Sequence, residues 1–207
     1  MSLMYIIDEN VFDAEKQLLK NRNLVLTDEI DERTYEDMLK SILLLNGISE
    51  VEPINLFISS AGGEVNAGMA IYDLMQWVPA PVHTVGMGSC ASMAAILLMA
   101  GQKRYIFPHC WVMLHQCSGV VYGDTDTTLS RASQMEKLEK QILAIQSLHC
   151  NKPVEQIEKD TIKEKWFTAE EAQAYGIIDE IIRPVNGRLH LSRTKCDEEK
   201  SLVKSLK

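Results

Sequence analysis

Several features are scarce or missing in this chain, and each absence narrows what it can be. No apolar run approaches the ~20 residues needed to cross a bilayer, so a membrane span is not expected. The opening MSLMYIIDENVF is acidic, and its apolar part is too short for a signal peptide, which points to a cytoplasmic setting. Basic residues are outnumbered, with 21 Lys and Arg against 29 Asp and Glu and a net charge of −8. Without a basic patch there is nothing to displace counterions from phosphates, so nucleic acid is not an expected partner. The five cysteines (Cys90, Cys110, Cys117, Cys150, Cys196) are odd in number and contain no CxxC pair. That spacing suits neither a disulfide framework nor a zinc site; reduced thiols are expected, with no metal or other cofactor. Internal repeats, low-complexity tracts and a linker that would split the chain are missing too.

What is present reads as one α/β domain. The chain has 207 residues, 46% of them hydrophobic, enough for a full core, and 24% charged. Strand-like runs at NLVLTDEI (23–30), PINLFISS (53–60) and PVHTVGMG (81–88) alternate with helical periodicity. The helices are ERTYEDMLKSILLLNG, with Gly47 placed to stop it, EVNAGMAIYDLMQWV before Pro79, and a stretch from about Ser92 to Met99. KRYIF, a turn at Pro108 and CWVMLHQ suggest a hairpin-like pair. Residues 127–150 carry an apolar stripe of Leu129, Met135, Leu138, Ile142, Ile145 and Leu148. Pro153 opens a further short helix, and FTAEEAQAYG carries a capping box, Thr168 with Glu171, and a Gly176 stop. IIDEII returns as a strand. Such alternation implies parallel pairing.

The candidate chemistry lies in GMGSCASMAAILLMAG (86–101), where small residues carrying Ser89 and Ser92 precede an apolar helix. Ser92 fits a helix N-cap, and equally a nucleophile set where free N–H groups and the helix dipole favour negative charge. Neither serine matches GxSxG, so this is not the α/β-hydrolase elbow. ISSAGGEV places paired glycines between a strand and a helix. They fit a tight turn, or a Gly63 amide brought close to a reacting carbonyl; with the Met93 amide it would make an oxyanion hole. Five histidines could act as base: His83, His109, His115, His149 and His190. His149 suits the dipole at the end of the long helix, whereas His115 closes the apolar strand WVML, where catalytic groups emerge. A packed histidine would look the same.

The ordered blocks ISSAGG (58–63), GSCASMAA (88–95), VMLHQ (112–116) and FTAEEAQAYGIID (167–179) resemble the ClpP family, the proteolytic subunits of Clp protease. FDAEKQLLKNRNLVLT and AGMAIYDLMQW match as well, and the likeness runs from about Phe12 to Ile182. The resemblance implies a crotonase-like stack of ββα units with a protruding handle helix. It implies Ser92 as nucleophile, His115 as general base, and Gly63 and Met93 as the oxyanion amides. The family's third residue is an aspartate; the matching position here is Glu164, in TIKEKWFT, and Asp160, one turn earlier, is the rival for orienting His115. The expected domain plan is a short axial segment over 1–11, a protease domain over 12–183 with its handle at about 120–150, and a polar tail over 184–207.

The implied function is a serine endopeptidase acting on peptides and unfolded protein chains inside a homo-oligomer of stacked heptameric rings, a tetradecamer, fed by an AAA+ unfoldase. Departures from the family pattern are Ile162-Lys163 in place of an acidic-basic pair, and Cys117-Ser118-Gly119-Val120 in place of a proline and paired glycines. Glu164 and Ile162 keep a second reading open, a catalytically weak structural subunit of a mixed ring. A phage maturation protease of the same superfamily is another setting for the first reading. A crotonase-like acyl-CoA enzyme would share the fold, but would need neither Ser92 nor His115, and no basic cluster is present to hold nucleotide phosphates. Cys90 and Cys117 flank the site, so thiol oxidation there is expected to blunt activity.

Overall fold

The computed structural model describes residues 4–7, 10–119, 122–185 and 188–189. A small antiparallel pair, β1 (Met4–Ile7) and β2 (Asn10–Asp13), leads into α1 (Ala14–Lys20), and the Asp13 side chain accepts from the Lys16 N–H as its cap. There follow β3 (Asn23–Leu26), α2 (Glu32–Ile48), β4 (Ile54–Ser60), α3 (Val65–Trp77), β5 (Val82–Ala91) and α4 (Met93–Met99). The second half holds β6 (Lys103–Ile106), β7 (Trp111–Leu114), α5 (Thr125–Cys150), α6 (Val154–Thr161), β8 (Lys165–Phe167), α7 (Ala169–Tyr175) and β9 (Glu180–Ile181). A last pair, β10 (Pro184–Val185) and β11 (Arg188–Leu189), closes the described part. The polar tail, with His190 and Cys196, falls outside the described residues.

The expected α/β class is what the chain adopts. The main sheet runs β3-β4-β5-β6-β9, all parallel, because each connection crosses over through a helix or long loop. β4 buries Ile54, Leu56, Ile58 and Ser60 in strict alternation. α2 turns Met38, Ile42 and Leu45 inward, three to four residues apart. α4 is apolar on every side, and all seven of its residues are buried, so it is the core helix against which α3 and α5 pack. Burying each Leu or Ile of this set is worth about 1.5–3 kcal/mol.

Two arginines tie the periphery to the sheet. Arg22 is buried at a positive φ of 58° and donates to four carbonyls: Leu45 (2.9 Å), Glu52 (2.8 Å), Pro53 (3.1 Å) and Ser49 (3.1 Å). Those carbonyls belong to the end of α2 and the loop into β4, so one side chain fixes that corner. Arg104 on β6 forks onto Asp179 and also donates to the carbonyls of His149 (3.0 Å) and Gly176 (2.8 Å), collecting the ends of α5 and α7.

The expected hairpin of KRYIF and CWVMLHQ does not form. β6 pairs with the first half of β5 (His83↔Lys103 to Gly86↔Ile106), and β7 pairs with its second half (Ser89↔Trp111 to Ala91↔Met113), both parallel. The turn closed by the Cys110 N–H on the Phe107 carbonyl (3.0 Å) carries the chain from one branch to the other. β5 can serve both because it bends at Gly88, whose φ of 57° suits glycine. β8 then adds antiparallel to β7, with Leu114 opposite Lys165. Gly47 also differs from expectation: it lies inside the last turn of α2, where a Cβ would meet nothing within 4 Å, and the helix runs on to Ile48.

Candidate active site

The branch point of β5 delivers its last residues to the start of α4, and Ser92 stands between them. Its backbone is at φ 55°, ψ −126°, a corner that L residues seldom occupy and that costs about 1–3 kcal/mol. The capping role open to Ser92 is not the one it plays, since its side chain makes no cap hydrogen bond. Its Oγ lies 2.8 Å from Nε2 of His115, the residue after β7, and its N–H donates to the Met113 carbonyl at 2.9 Å. The serine and the histidine thus meet because β5 and β7 are adjacent strands.

Gly62 presses against this turn, and Gly63 presses against Ile30 beside it. A Cβ on Gly62 (φ 96°) would stand 2.7 Å from the Ala91 carbonyl oxygen and 2.8 Å from the Ser92 Cβ. A Cβ on Gly63 (φ 151°) would stand 2.2 Å from the Ile30 carbonyl oxygen, so only glycine fits either place. Ile30 donates to the Gly62 carbonyl (2.8 Å) and accepts from Glu64 (2.7 Å), which leaves the Gly63 N–H out of that bridge. The Met93 N–H opens α4 and has no intrahelical acceptor. Both Gly63 and Met93 line the same cleft as Ser92 and His115. Val65, Ile96, Leu114, Ile142 and Gln146 are among the walls of this open cleft, and no Asp, Glu, Lys or Arg is among the described residues that line it.

The two candidate carboxylates are placed differently. Asp160 faces Lys165 (2.8 Å), Tyr175 (2.8 Å) and Gln156 (2.9 Å). Burial pushes its carboxyl up, but the hydrogen bonds from Lys165, Gln156 and Tyr175 outweigh that and bring it down to about 2. Glu164 is exposed and accepts from the Trp166 indole N–H at 3.2 Å. Among the described residues no hydrogen bond joins either carboxylate to His115. Register nevertheless favours Glu164: Leu114 opposes Lys165, so one step further sets His115 against Glu164. The Gln116 N–H on the Thr161 carbonyl (3.1 Å) holds the two segments together there.

The other described histidines lie elsewhere. His83 is buried beside Tyr105, and burial, with Lys103, pushes its pKa down. His149 contacts the Tyr72 hydroxyl at 2.9 Å, and burial, with Arg104, lowers it too. His109 is exposed in the turn before β7. Burial drives the Cys117 thiol up to about 12, helped by Glu139, whose carboxylate accepts the Cys117 N–H at 2.6 Å. The Cys110 thiol 4.0 Å away, together with burial, also holds Cys90 up. Both are protonated and weakly reactive at neutral pH. No three His, Cys, Asp or Glu side chains among the described residues cluster to hold a metal ion.

Residues 7–185 match the Clp protease family. The chain belongs to that family. It is 44% identical over 169 residues to "ATP-dependent Clp protease proteolytic subunit 2" of Thermobifida fusca, spanning 81% of this chain and 83% of that one. The protein of the same name from Nocardia farcinica is 40% identical over 173 residues, 83% and 85% of the two chains. "ATP-dependent Clp protease proteolytic subunit 1" of Frankia casuarinae is also 40% identical, over 178 residues, 85% and 82%. A peptidase family therefore stands behind the site, as the sequence blocks implied. No helix among the described residues is long and apolar enough to cross a membrane.

Gln146 escaped the sequence reading. The stripe drawn on 127–150 included Leu129 and Leu148, which are exposed, whereas the buried residues of α5 are Ile142, Leu143, Gln146 and Cys150. The available signal was position: Gln146 lies one turn past Ile142 on the inward face.

Proposed function

We propose that this chain is a serine endopeptidase that cleaves peptides and unfolded protein chains by an acyl-enzyme route. The contact of 2.8 Å between Ser92 Oγ and His115 Nε2, at a serine held in a strained backbone corner, is the observation that carries this reading. His115 takes the Ser92 proton as Oγ attacks the scissile carbonyl, and the oxygen becomes anionic between the Gly63 and Met93 N–H groups. The imidazolium then gives its proton to the departing amine, leaving an acyl group on Ser92 that water releases by the same steps in reverse order. Glu164 orients His115 and stabilises its charged form once its side chain swings from Trp166 to the other ring nitrogen. Asp160, with its partners already in place, fixes the segment that carries Glu164.

The assembly reading draws on the exposed apolar side chains of Leu129 and Leu148 on α5 and of Ile162 and Trp166 beside it. None of residues 125–141 is buried, so this part of α5 stands out as a handle for a partner ring. Stacked heptameric rings forming a tetradecamer, an AAA+ unfoldase partner as the relatives' "ATP-dependent" names suggest, and a cytoplasmic location complete the proposal. The family match over 7–185 supports a protease domain at 12–183, between an axial segment (1–11) and a tail (184–207).

A serine-reactive fluorophosphonate should label the wild type and not Ser92→Ala, and only the wild type should turn over a peptide. The second reading, a structural subunit of a mixed ring, is favoured by the lack of a carboxylate on His115. Failure to label, even with an unfoldase or a second subunit added, would select it.

A further inference from the structure

The cleft beside Ser92 is lined by a buried polar side chain whose acceptor has no partner. Gln146 is 1% exposed, and its Oε1 is fully buried without a hydrogen-bond partner, unlike every other buried side-chain oxygen or nitrogen among the described residues. A buried acceptor left unpaired is more costly than an apolar side chain of the same shape. The walls around it, Ile96, Leu114 and Ile142, would accept methionine there as readily. Gln146 lines the same cleft as Ser92, Gly63 and Met93. On the proposed mechanism the attacked carbonyl points its oxygen to those two amides, and the side chain on the adjoining Cα would enter this space.

We infer that Gln146 sets the substrate preference on the acyl side of the scissile bond, selecting an uncharged carboxamide side chain, glutamine or asparagine. This rests on the peptidase reading above. A carboxamide is the matching chemistry because Gln146 can turn end for end and offer a donor and an acceptor, and another carboxamide answers both. An aliphatic side chain leaves Gln146 unpaired. A charged one meets no counter-charge among the described residues that line the cleft, and its desolvation goes uncompensated.

The test uses fluorogenic peptides that differ only at the acyl-side residue, in near-isosteric pairs: Gln against Met, Asn against Leu, with Lys and Glu added. The wild type should favour Gln over Met and Asn over Leu by roughly ten-fold or more in kcat/KM, and cleave the Lys and Glu peptides least. Gln146→Met should reverse both pairs, with Gln146→Leu as a second variant. Identical rankings in wild type and variants, or an aliphatic preference in the wild type, would overturn the inference. Product-like fluorescent peptides ending at the varied residue, bound to Ser92→Ala with and without Gln146→Met, give the same comparison by anisotropy. No cleavage by the wild type together with a Gln146-dependent binding preference would overturn the peptidase reading, and with it the acyl-side role, leaving only a carboxamide preference of the cleft. Equal binding of all the peptides would overturn this one whatever the turnover.

Discussion

Replacing Ser92 by glycine should leave a more stable protein than replacing it by alanine, against the usual order. Both changes remove the hydroxyl and its 2.8 Å contact with His115, a loss of about 1 kcal/mol that cancels between them. They differ in the backbone. Alanine keeps a Cβ at φ 55°, ψ −126°, a corner close to the first central position of a type II′ turn, which glycine dominates. The strain there is about 1–3 kcal/mol, and glycine removes it. Glycine in turn loses about 0.5–1 kcal/mol more chain entropy on folding. The difference leaves Ser92→Gly ahead by about 1 kcal/mol, which in a chain of this size is about 2–4 °C in Tm. Calorimetry at one fixed subunit concentration is the assay, since association adds to apparent stability. Both variants should be inactive on peptides. If Ser92→Ala melts as high as Ser92→Gly or higher, the turn stores no strain, and its geometry cannot be what presents the hydroxyl.

Glu164→Gln should lower kcat by up to about 10⁴-fold, while Asp160→Asn costs mainly stability; the reverse order would make Asp160 the residue that orients His115. Asp160 also gives an acid-side signature, because its carboxyl is brought from 3.8 down to about 2 by the hydrogen bonds of Lys165, Gln156 and Tyr175 against the opposing effect of burial. A folded pKa below the unfolded one stabilises above pH 3.8 and is lost as pH falls toward about 2, so wild type should lose stability across that window. Asp160→Asn should lack that increment, and equal slopes in acid titrations of the two proteins would contradict the assignment. Arg22→Met leaves four carbonyls without their shared donor and should cost about 3 kcal/mol or more in urea unfolding, with less than 1 kcal/mol counting against the corner described for it.

Local chemistry explains which parts of this fold could be read in advance. The α7 turn was legible because the whole device is local: Thr168 and Glu171 exchange their capping bonds, and Gly176 takes a φ of 95° to end the helix. β4 and α2 announce themselves by period. The hairpin expectation failed because two short apolar runs around a proline look alike whether they pair with each other or with the two halves of a third strand. Only the bend at Gly88, a long-range feature of β5, separates the cases. On α5 the apolar stripe includes Leu129 and Leu148, both exposed: Leu129 lies in the stretch 125–141 where nothing is buried, and Leu148 points away from the face that buries Ile142, Leu143, Gln146 and Cys150. Gln146 was passed over for the opposite reason, since a polar residue does not advertise that it is buried.

The site divides along the same line. Ser92, Gly63 and Met93 sit in segments whose small residues and abrupt change of period mark a sharp turn, so their neighbourhood was visible from sequence. His115 was one of five histidines on residue type alone; its distinction is that β7 lies beside the far half of β5, and only the sheet supplies that. The carboxylate was least legible, and the geometry explains it. Asp160 has three partners, whereas Glu164 is exposed with one contact of 3.2 Å and, like His115, lies one residue beyond the Leu114–Lys165 pair. A carboxylate already saturated by Lys165, Gln156 and Tyr175 would have to break strong bonds to serve the imidazole. One that rests on an indole has only a rotamer to change, and its extra methylene supplies reach. On the proposed mechanism the part that must move is therefore the acid, while strand pairing holds the hydroxyl and the ring, and the proposed Gly63 amide sits where nothing larger than glycine fits.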